Sequence, residues 1–441
     1  MNATDQVKLG PILLAPGIKR SHVIYFTIAY CISLSLNNFI GVAQPFVLTE
    51  VLHLSRSEQG AITGSLLATQ QAAILMFLLV FGALADRIGR KLFVIAALSI
   101  MTFVLLVFPL AASIVLLFLL RFLFGTGVAA FNAGGGAIRI DLPDNSARGK
   151  MSILMSLVNV VAGAVFVSFL GARLPAWLMD QGFSAEAAAR YTFWLLAALG
   201  LAAILASLGL QRDRPAESER HSAAHHLRHL ADNLREVITY ARDHRRYRML
   251  LLLAPITRSD TLIMGTFLSL WVLAAGNDQG LSSAEAMRTM SNVAMVVSAM
   301  DIIASFIGGL LADRFDRLRL SIASIVLTAA AFSTPLWVNS VTGLAILVAV
   351  AVIQLAEGMT TVSISALTGE LTPPHMRAST HSVYVWIGMV SGMFIGLLGG
   401  WLFDRFGYAA PFLLISGLAI TWLSIATAVL WRAHRLRHPV A

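Results

Sequence analysis

Twelve stretches of the chain are apolar enough and long enough to cross a bilayer: residues 23–48, 59–85, 92–111, 113–140, 150–174, 191–210, 249–274, 285–312, 319–339, 341–369, 376–403 and 409–431. A spanning helix needs about 20 predominantly apolar residues. None of these runs alternates apolar with polar positions as a membrane strand does. In hydrocarbon every backbone N–H and C=O must be satisfied inside the segment or in a closed barrel. The pattern therefore predicts an all-α membrane protein of twelve transmembrane helices. The connections are short except one. Residues 212–248, beginning RDRPAESERHSAAHHLRHL, are polar and divide the chain into a six-helix bundle over 1–211 and a second over 249–441.

Composition excludes a soluble alternative: 57% of the 441 residues are hydrophobic and 12% are charged, against about a quarter charged in soluble domains. The net charge of +9 is explained by topology. Of the 32 Lys and Arg, 25 fall in loops on the side of the termini, and Arg56, Arg173, Arg190, Arg288 and Arg405 fall on the other. Positive loops face the cytoplasm, so both termini are expected there, in a bacterial cytoplasmic membrane, with no nucleic-acid partner. The first twenty residues, with Pro11 and Pro16, lack the pattern of a cleaved signal peptide. Cys31 is the single cysteine, which removes any intramolecular disulfide or Cys-based metal site. In the polar segment His225 and His229 are four apart, a spacing that puts both on one helical face. No Cys or acid is fixed beside them, and the segment reads as a solvated, partly helical linker. No metal or other cofactor is expected.

The two halves repeat one another. GALADRIGRK (82–91) follows the second span and GLLADRFDRL (309–318) the eighth; Asp141 and Arg148 of DLPDNSARGK recur as Glu370 and Arg377 of ELTPPHMRAS. Duplicated six-helix halves are a construction of secondary transporters. The segment from Gly82 through Asp86, Arg87, Gly89 and Arg90 to Lys91 resembles the loop 2–3 signature of the major facilitator superfamily, with a weaker copy around Asp313, Arg314 and Arg317. The resemblance extends to span count, linker position and repeat. It implies that Asp86 latches the two halves in one conformation and releases them in another, with Arg87, Arg90, Arg139, Asp313, Arg314 and Arg317 as further latch candidates; the alternative, that Arg87 to Lys91 only set topology, explains the cations but not the acid. The residue chemistry agrees with that reading: Gly82 permits close helix approach, Gly89 a tight turn, and Arg90 and Lys91 are cations able to pair with Asp86. In the second copy Asp316 stands where the glycine is expected, which weakens the latch there.

Ionisable groups inside spans are costly, about 2.5–3.5 kcal/mol or more at the bilayer centre, and are functional candidates by default. Five stand out: Arg121, Arg258, Asp260, Asp301 and Glu357. By the resemblance, spans one, four, seven and ten line a central cavity, which takes in all but Asp301. In span four, Arg121, Gly125, Asn132, Gly136 and Arg139 share a helical face, and Arg121 to Gly125 resembles the superfamily's proton-coupling arginine motif. Arg121 pairing structurally with an acid such as Glu357 is the alternative. Asn37, Asn38 and Gln44 in span one and Gln354, Thr360 and Thr361 in span ten add orienting hydrogen bonds or helix-to-helix contacts. Asp301 lies near mid-membrane, and with Glu357 it is a leading proton-carrier candidate; an ion pair with Arg258 or Arg121 is the competing role. Gly388, Gly392, Gly396 and Gly400 recur every fourth position in span eleven, as Gly60, Gly64, Ala68 and Ala72 do in span two. Such stripes allow close helix contact, either as a sliding seam or as static packing.

These features point to a monomeric secondary transporter embedded in the lipid bilayer, moving a small organic solute by alternating access with protons as coupling ion. Arg121 and Arg258 suit an anionic solute, while Asp260 and Glu357 suit a cation. Span five lacks the Gly-Pro pair of the superfamily's drug antiporters, which weighs against a multidrug exporter. A transporter-derived receptor or assembly factor without flux is the alternative from a different class. No phosphate-binding loop is present, and no nucleophile with a base can be assembled, so catalysis is not expected.

Overall fold

The computed structural model describes residues 7–211 and 234–437, apart from the side chains of Asp86, Asp260, Thr261, Ala378 and residues 429–437. The His225 and His229 pair therefore lies outside the described residues. Among the described residues, twelve helices are long and apolar enough to cross a membrane. They are α1 (Arg20–Glu50), α2 (Arg56–Ile88), α3 (Arg90–Val107), α4 (Ile114–Asp141), α5 (Arg148–Val161), α6 (Ala185–Ser207), α7 (Ala254–Asp278), α8 (Ser283–Arg314), α9 (Arg317–Ala331), α10 (Leu344–Leu371), α11 (Arg377–Phe406) and α12 (Ala410–Arg437). The fifth span continues past α5 through a π-helical stretch, Ala162–Arg173, into a short helix, Leu174–Asp180. In the stretch the Ser168 hydroxyl donates to the Gly163 carbonyl five residues back.

Local chemistry sets the helix ends. The Ser113 hydroxyl accepts from the Leu116 amide at the start of α4, and Ser184 does the same for Ala187 in α6, each satisfying an orphan first-turn donor. Gly89 stands between α2 and α3 at φ +115°, a conformation closed to most side chains.

The chain forms two compact units, Met1–Leu54 with Thr69–Arg228 and Ser282–Ala294, and Ser55–Ala68 with His229–Leu281 and Met295–Ala441. The first turns of α2 and α8 are thus exchanged relative to the halves of the sequence. In the first unit α3 packs against α4 and α6, and α1 against α6. Phe39 of α1 meets Phe193 of α6 edge-on at 4.7 Å, and Phe108 stacks on Phe193 at 5.5 Å. In the second unit α7 packs against α11, and α9 against α10 and α12. There Trp271 of α7 and Phe412 of α12 make the matching edge contact at 5.3 Å, so the repeat reaches the aromatic core. Ahead of α7, residues 234–243 are helical with Val237 and Ala241 buried, and in the short helix Arg245–Leu251 the buried Tyr247 hydroxyl bonds Thr380 at 2.6 Å.

One element has no counterpart in the hydropathy pattern. Lys8–Leu9 and Ile12–Leu13 form a small antiparallel hairpin that docks on the segment after α4. The Asp144 amide donates to Leu13 (2.9 Å), the Ala15 amide donates to Leu142 (3.1 Å), and Leu14 is 1% exposed.

Candidate functional site

In the first unit the polar side chains of three helices meet. Arg121 of α4 is 1% exposed. Its Nη1 donates to Gln70 Oε1 of α2 at 2.7 Å, and Gln70 Nε2 donates to Asn37 Oδ1 of α1 at 3.1 Å. Gly125, one turn beyond Arg121, makes this possible: a Cβ there would lie 2.5 Å from the Gln70 carbonyl, so only glycine allows α2 this close. The upper part of the polar face of α4 therefore packs on α2. Asn132 and Arg139 further along are exposed, as is Asn38. Among the described residues Arg121 Nε is buried without a partner, as are both amide atoms of Gln44.

In the second unit Gln354 of α10 lies near the half-buried Asp301, which sits close to the middle of α8. Glu357, one turn from Gln354, is 8% exposed. Alanine-sized contacts bring these helices together: Gly358 faces Ala304, and a Cβ on Gly308 would lie 3.1 Å from Val362. A ladder of hydroxyls ties α10 to α9, Ser363 to Ser324 and Thr360 to Thr328, both at 2.9 Å. Arg258 of α7 is exposed at its head, while its stem lies against Gly388 of α11. Thr257 beside it bonds the Tyr384 hydroxyl at 2.6 Å. Asp260 lies outside the described side chains.

The two signature loops use the same pairing. Arg90 forms an ion pair with Asp141 at the end of α4, and Arg317 pairs with Glu370 at the end of α10 at 3.7 Å. The repeated acids seen in the sequence are thus the partners of the repeated arginines, a link that spacing alone does not reveal. Lys91 Nζ donates to the Leu208 and Leu210 carbonyls at 2.5 and 2.9 Å, placing a cation at the end of α6 where the helix dipole favours it. Asp316 replaces Gly89 by a different route: its carboxylate accepts from the Arg319 amide at 2.9 Å and caps α9. Just beyond α4, the Ser146 hydroxyl and amide donate to Asp144 and hold its carboxyl below the usual range. Arg87, Asp313, Arg314 and Arg317 are exposed, and Asp86 lies outside the described side chains. The close approach expected at Gly82 is not made, since among the described residues a Cβ there would meet nothing within 4 Å; the turn is supplied by Gly89.

Small residues at the start of α2 and the end of α11 do make a close contact. Gly388, Gly392, Gly396 and Gly400 are all buried. Gly64 lies against the Gly396 carbonyl, and a Cβ on Gly60 would lie 2.6 Å from the Gly400 carbonyl and 2.5 Å from Asp404 Oδ1. Asp404 accepts from the Gly60 and Ala61 amides at 2.8 and 2.7 Å. Beside it Arg56 pairs with Asp278 and lies over the Tyr408 ring, whose hydroxyl also donates to Asp278. Burial pushes the Tyr408 phenol above its ordinary pKa. In the first unit the start of α8 is held in a similar way. Arg288 bonds both Asp180 oxygens at 2.7 and 2.8 Å, Ser283 donates to Glu50 at 2.6 Å, and Ser291 to the Ser168 carbonyl of the π-helical stretch at 3.0 Å.

Twelve spanning helices, an internal repeat preserved in both loop chemistry and core packing, and ionisable groups within the spans define a polytopic integral membrane protein of the secondary-transporter type. The chain belongs to the major facilitator superfamily, whose family profile matches residues 26–291 and 253–441. It is 22% identical over 404 residues to magnetosome protein MamH of Paramagnetospirillum magneticum, covering 90% of this chain and 89% of MamH. To magnetosome protein MamZ of Magnetospirillum gryphiswaldense it is 24% identical over 84% of its length, and it spans 56% of MamZ. In fold it is similar to the nucleoside transporter NupG (D323A mutant), with a TM-score of 0.71 and 14% identity over 92% of this chain and 98% of that one. It is also similar to a D-xylose-proton symporter, with a TM-score of 0.66 and 14% identity over 90% and 97%.

Proposed function

We propose that this member of the superfamily moves a small organic solute across the membrane by alternating access, with protons as the coupling ion. The observation that carries the coupling is the placement of two carboxyl groups within the spans of one unit, Asp301 half-buried beside Gln354 and Glu357 8% exposed one turn from Gln354. Two carboxyl groups in the spans of one unit, with a neutral amide near them, are groups that can take up and release a proton. That a D-xylose-proton symporter shares the fold agrees with this reading. In the same scheme Asp86 acts as a latch on the terminal side, the glycine contact of α2 with α11 forms and parts during the cycle, and the protein works as a monomer with both termini in the cytoplasm.

The test is uptake into proteoliposomes under an imposed pH gradient. Asp301→Asn and Glu357→Gln are each expected to abolish pH-driven accumulation while leaving exchange of solute down its own gradient. Full pH-driven uptake in both variants would remove proton carriage from this pair.

A further inference from the structure

We infer that Arg121 is the anchor for an oxyanion, a carboxylate or phosphate group, on the transported solute; this rests on the transport reading above and names its substrate class. A guanidinium keeps its charge at all accessible pH and has five N–H donors. Among the described residues Arg121 makes one hydrogen bond, from Nη1 to the neutral Gln70, and no ion pair. Its Nε is fully buried with nothing to donate to. Nη1 is the donor turned away from the Nε and Nη2 edge, and that edge is the fork that receives carboxylate and phosphate oxygens two at a time. A tie between α1, α2 and α4 would need only a neutral side chain. A buried charge without an opposite charge is costly to keep, and a ligand supplying that charge accounts for it.

The surroundings are organised for that task. Gly125 clamps the Gln70 backbone against α4, and the Gln70 side chain is fixed at its other end by Asn37, so the guanidinium is held from one side before any ligand arrives. Gln44 follows Asn37 by seven residues, two turns along the same face of α1. It is 0% exposed and neither of its amide atoms has a partner. Gln44 lies six residues from the end of α1 and Arg121 seven from the start of α4, which puts both about 10 Å from those helix ends. Two buried polar groups of one unit, each with an atom lacking a partner among the described residues, fit a solute that carries an oxyanion together with a hydroxyl or amide.

The purified full-length chain is screened by thermal shift against matched pairs: lactate with lactamide, succinate with succinamide, benzoate with benzamide, glycerol 3-phosphate with glycerol, and uridine monophosphate with uridine. At least one anion is expected to raise the Tm while its uncharged partner does not, and the carboxylate and phosphate arms separate the two oxyanions. Arg121→Lys is expected to weaken that anion about tenfold or more by removing the fork, Arg121→Met to abolish its effect, and Gln44→Leu to weaken it. Without ligand, Arg121→Met is expected to raise the Tm, because an uncompensated buried charge is removed; a merely structural arginine would lower it. No shift with any anion, or a shift that persists in Arg121→Met, overturns the inference. If Arg121→Met does not fold, unchanged anion affinity in Arg121→Lys overturns it equally. Uptake of the same compounds into vesicles separates the two readings. Entry of an uncharged member but of no anion leaves transport standing and removes the anchor. Anion binding through Arg121 without entry of any member removes transport and leaves the anchor.

Discussion

Replacing Gly60 by alanine tests whether the contact of α2 with α11 is a moving seam. The added methyl would sit 2.6 Å from the Gly400 carbonyl and 2.5 Å from the Asp404 carboxylate, whereas ordinary contacts of this kind begin near about 3.4 Å. Both neighbours are constrained, one being backbone and the other bonded to the Gly60 and Ala61 amides, so the helices must part by about 1 Å. Overpacking of this kind costs about 1–3 kcal/mol. Alanine also gains about 1 kcal/mol of helix propensity over glycine, but that gain is common to every state of the cycle and cancels in their balance. If the contact exists in only one state, the population ratio shifts against that state by about 5–150-fold. The readout is thiol labelling of Leu67→Cys in a Cys31→Ser background. Leu67 is buried, and a Cβ on Gly396 would lie 3.2 Å from its side chain, so a cysteine there is reached only when the helices separate. Labelling should quicken in Gly60→Ala and stay unchanged in Gly265→Ala, where a Cβ meets nothing within 4 Å. A lowered Tm with unchanged labelling would mean static packing, and no change in either would refute the overpacking argument itself.

A double-mutant cycle on Arg90 and Asp141 should give a coupling of about 0.2–1 kcal/mol, because both partners are partly exposed and solvent screens them. The Arg317 and Glu370 cycle should fall at the low end, at 3.7 Å and greater exposure, with both couplings read from Tm and reduced by added salt. Leu14→Ala should destabilise the docked hairpin by about 2 kcal/mol or more, since Leu14 is 1% exposed. Limited proteolysis should then cleave ahead of Arg20 while the remaining helices stay intact.

The twelve helices were legible because hydrocarbon admits so few solutions: a long apolar run must be a helix, and charge asymmetry orders the loops. The repeat was legible too, down to the two acids that recur in step with the arginines. What hydropathy does not carry is rotation about each helix axis, and there the expectations fell short. Pairing with an acid was the alternative role weighed for Arg121; its hydrogen-bond partner is Gln70, an amide that no charge-based search singles out. The glycine at 125 is what brings Gln70 into reach, and its spacing from Arg121 was the available hint. Gly82 resembled a close-contact residue by position in the signature, yet the neighbour that would make it one is not within 4 Å. The hairpin over residues 8–13 is too short to show a period, and its stability comes from Leu14 and from backbone bonds to a loop some 130 residues away.

The placement of charge constrains energetics as well as recognition. The first unit offers a fixed cation, Arg121, and the second offers carboxyl groups, Asp301 on α8 and Glu357 on α10. If a monoanion seats on Arg121 and one proton seats on the carboxyl pair, the cargo is neutral as a whole. Transport should then respond to a pH gradient and ignore the membrane potential. A cargo of one net charge would feel about 2.3 kcal/mol per 100 mV, which changes the accumulation ratio about fiftyfold. The measurement is accumulation of a monoanion that binds at Arg121, such as lactate or benzoate, in potassium-loaded vesicles with valinomycin, at fixed pH gradient and a potential of about 100 mV of either sign. Equal accumulation at both signs supports one proton per anion. An increase with the interior negative would mean that Asp301 and Glu357 carry a proton each. A decrease with the interior negative would mean that the anion crosses without a proton, and the carboxyl pair would have no part in coupling.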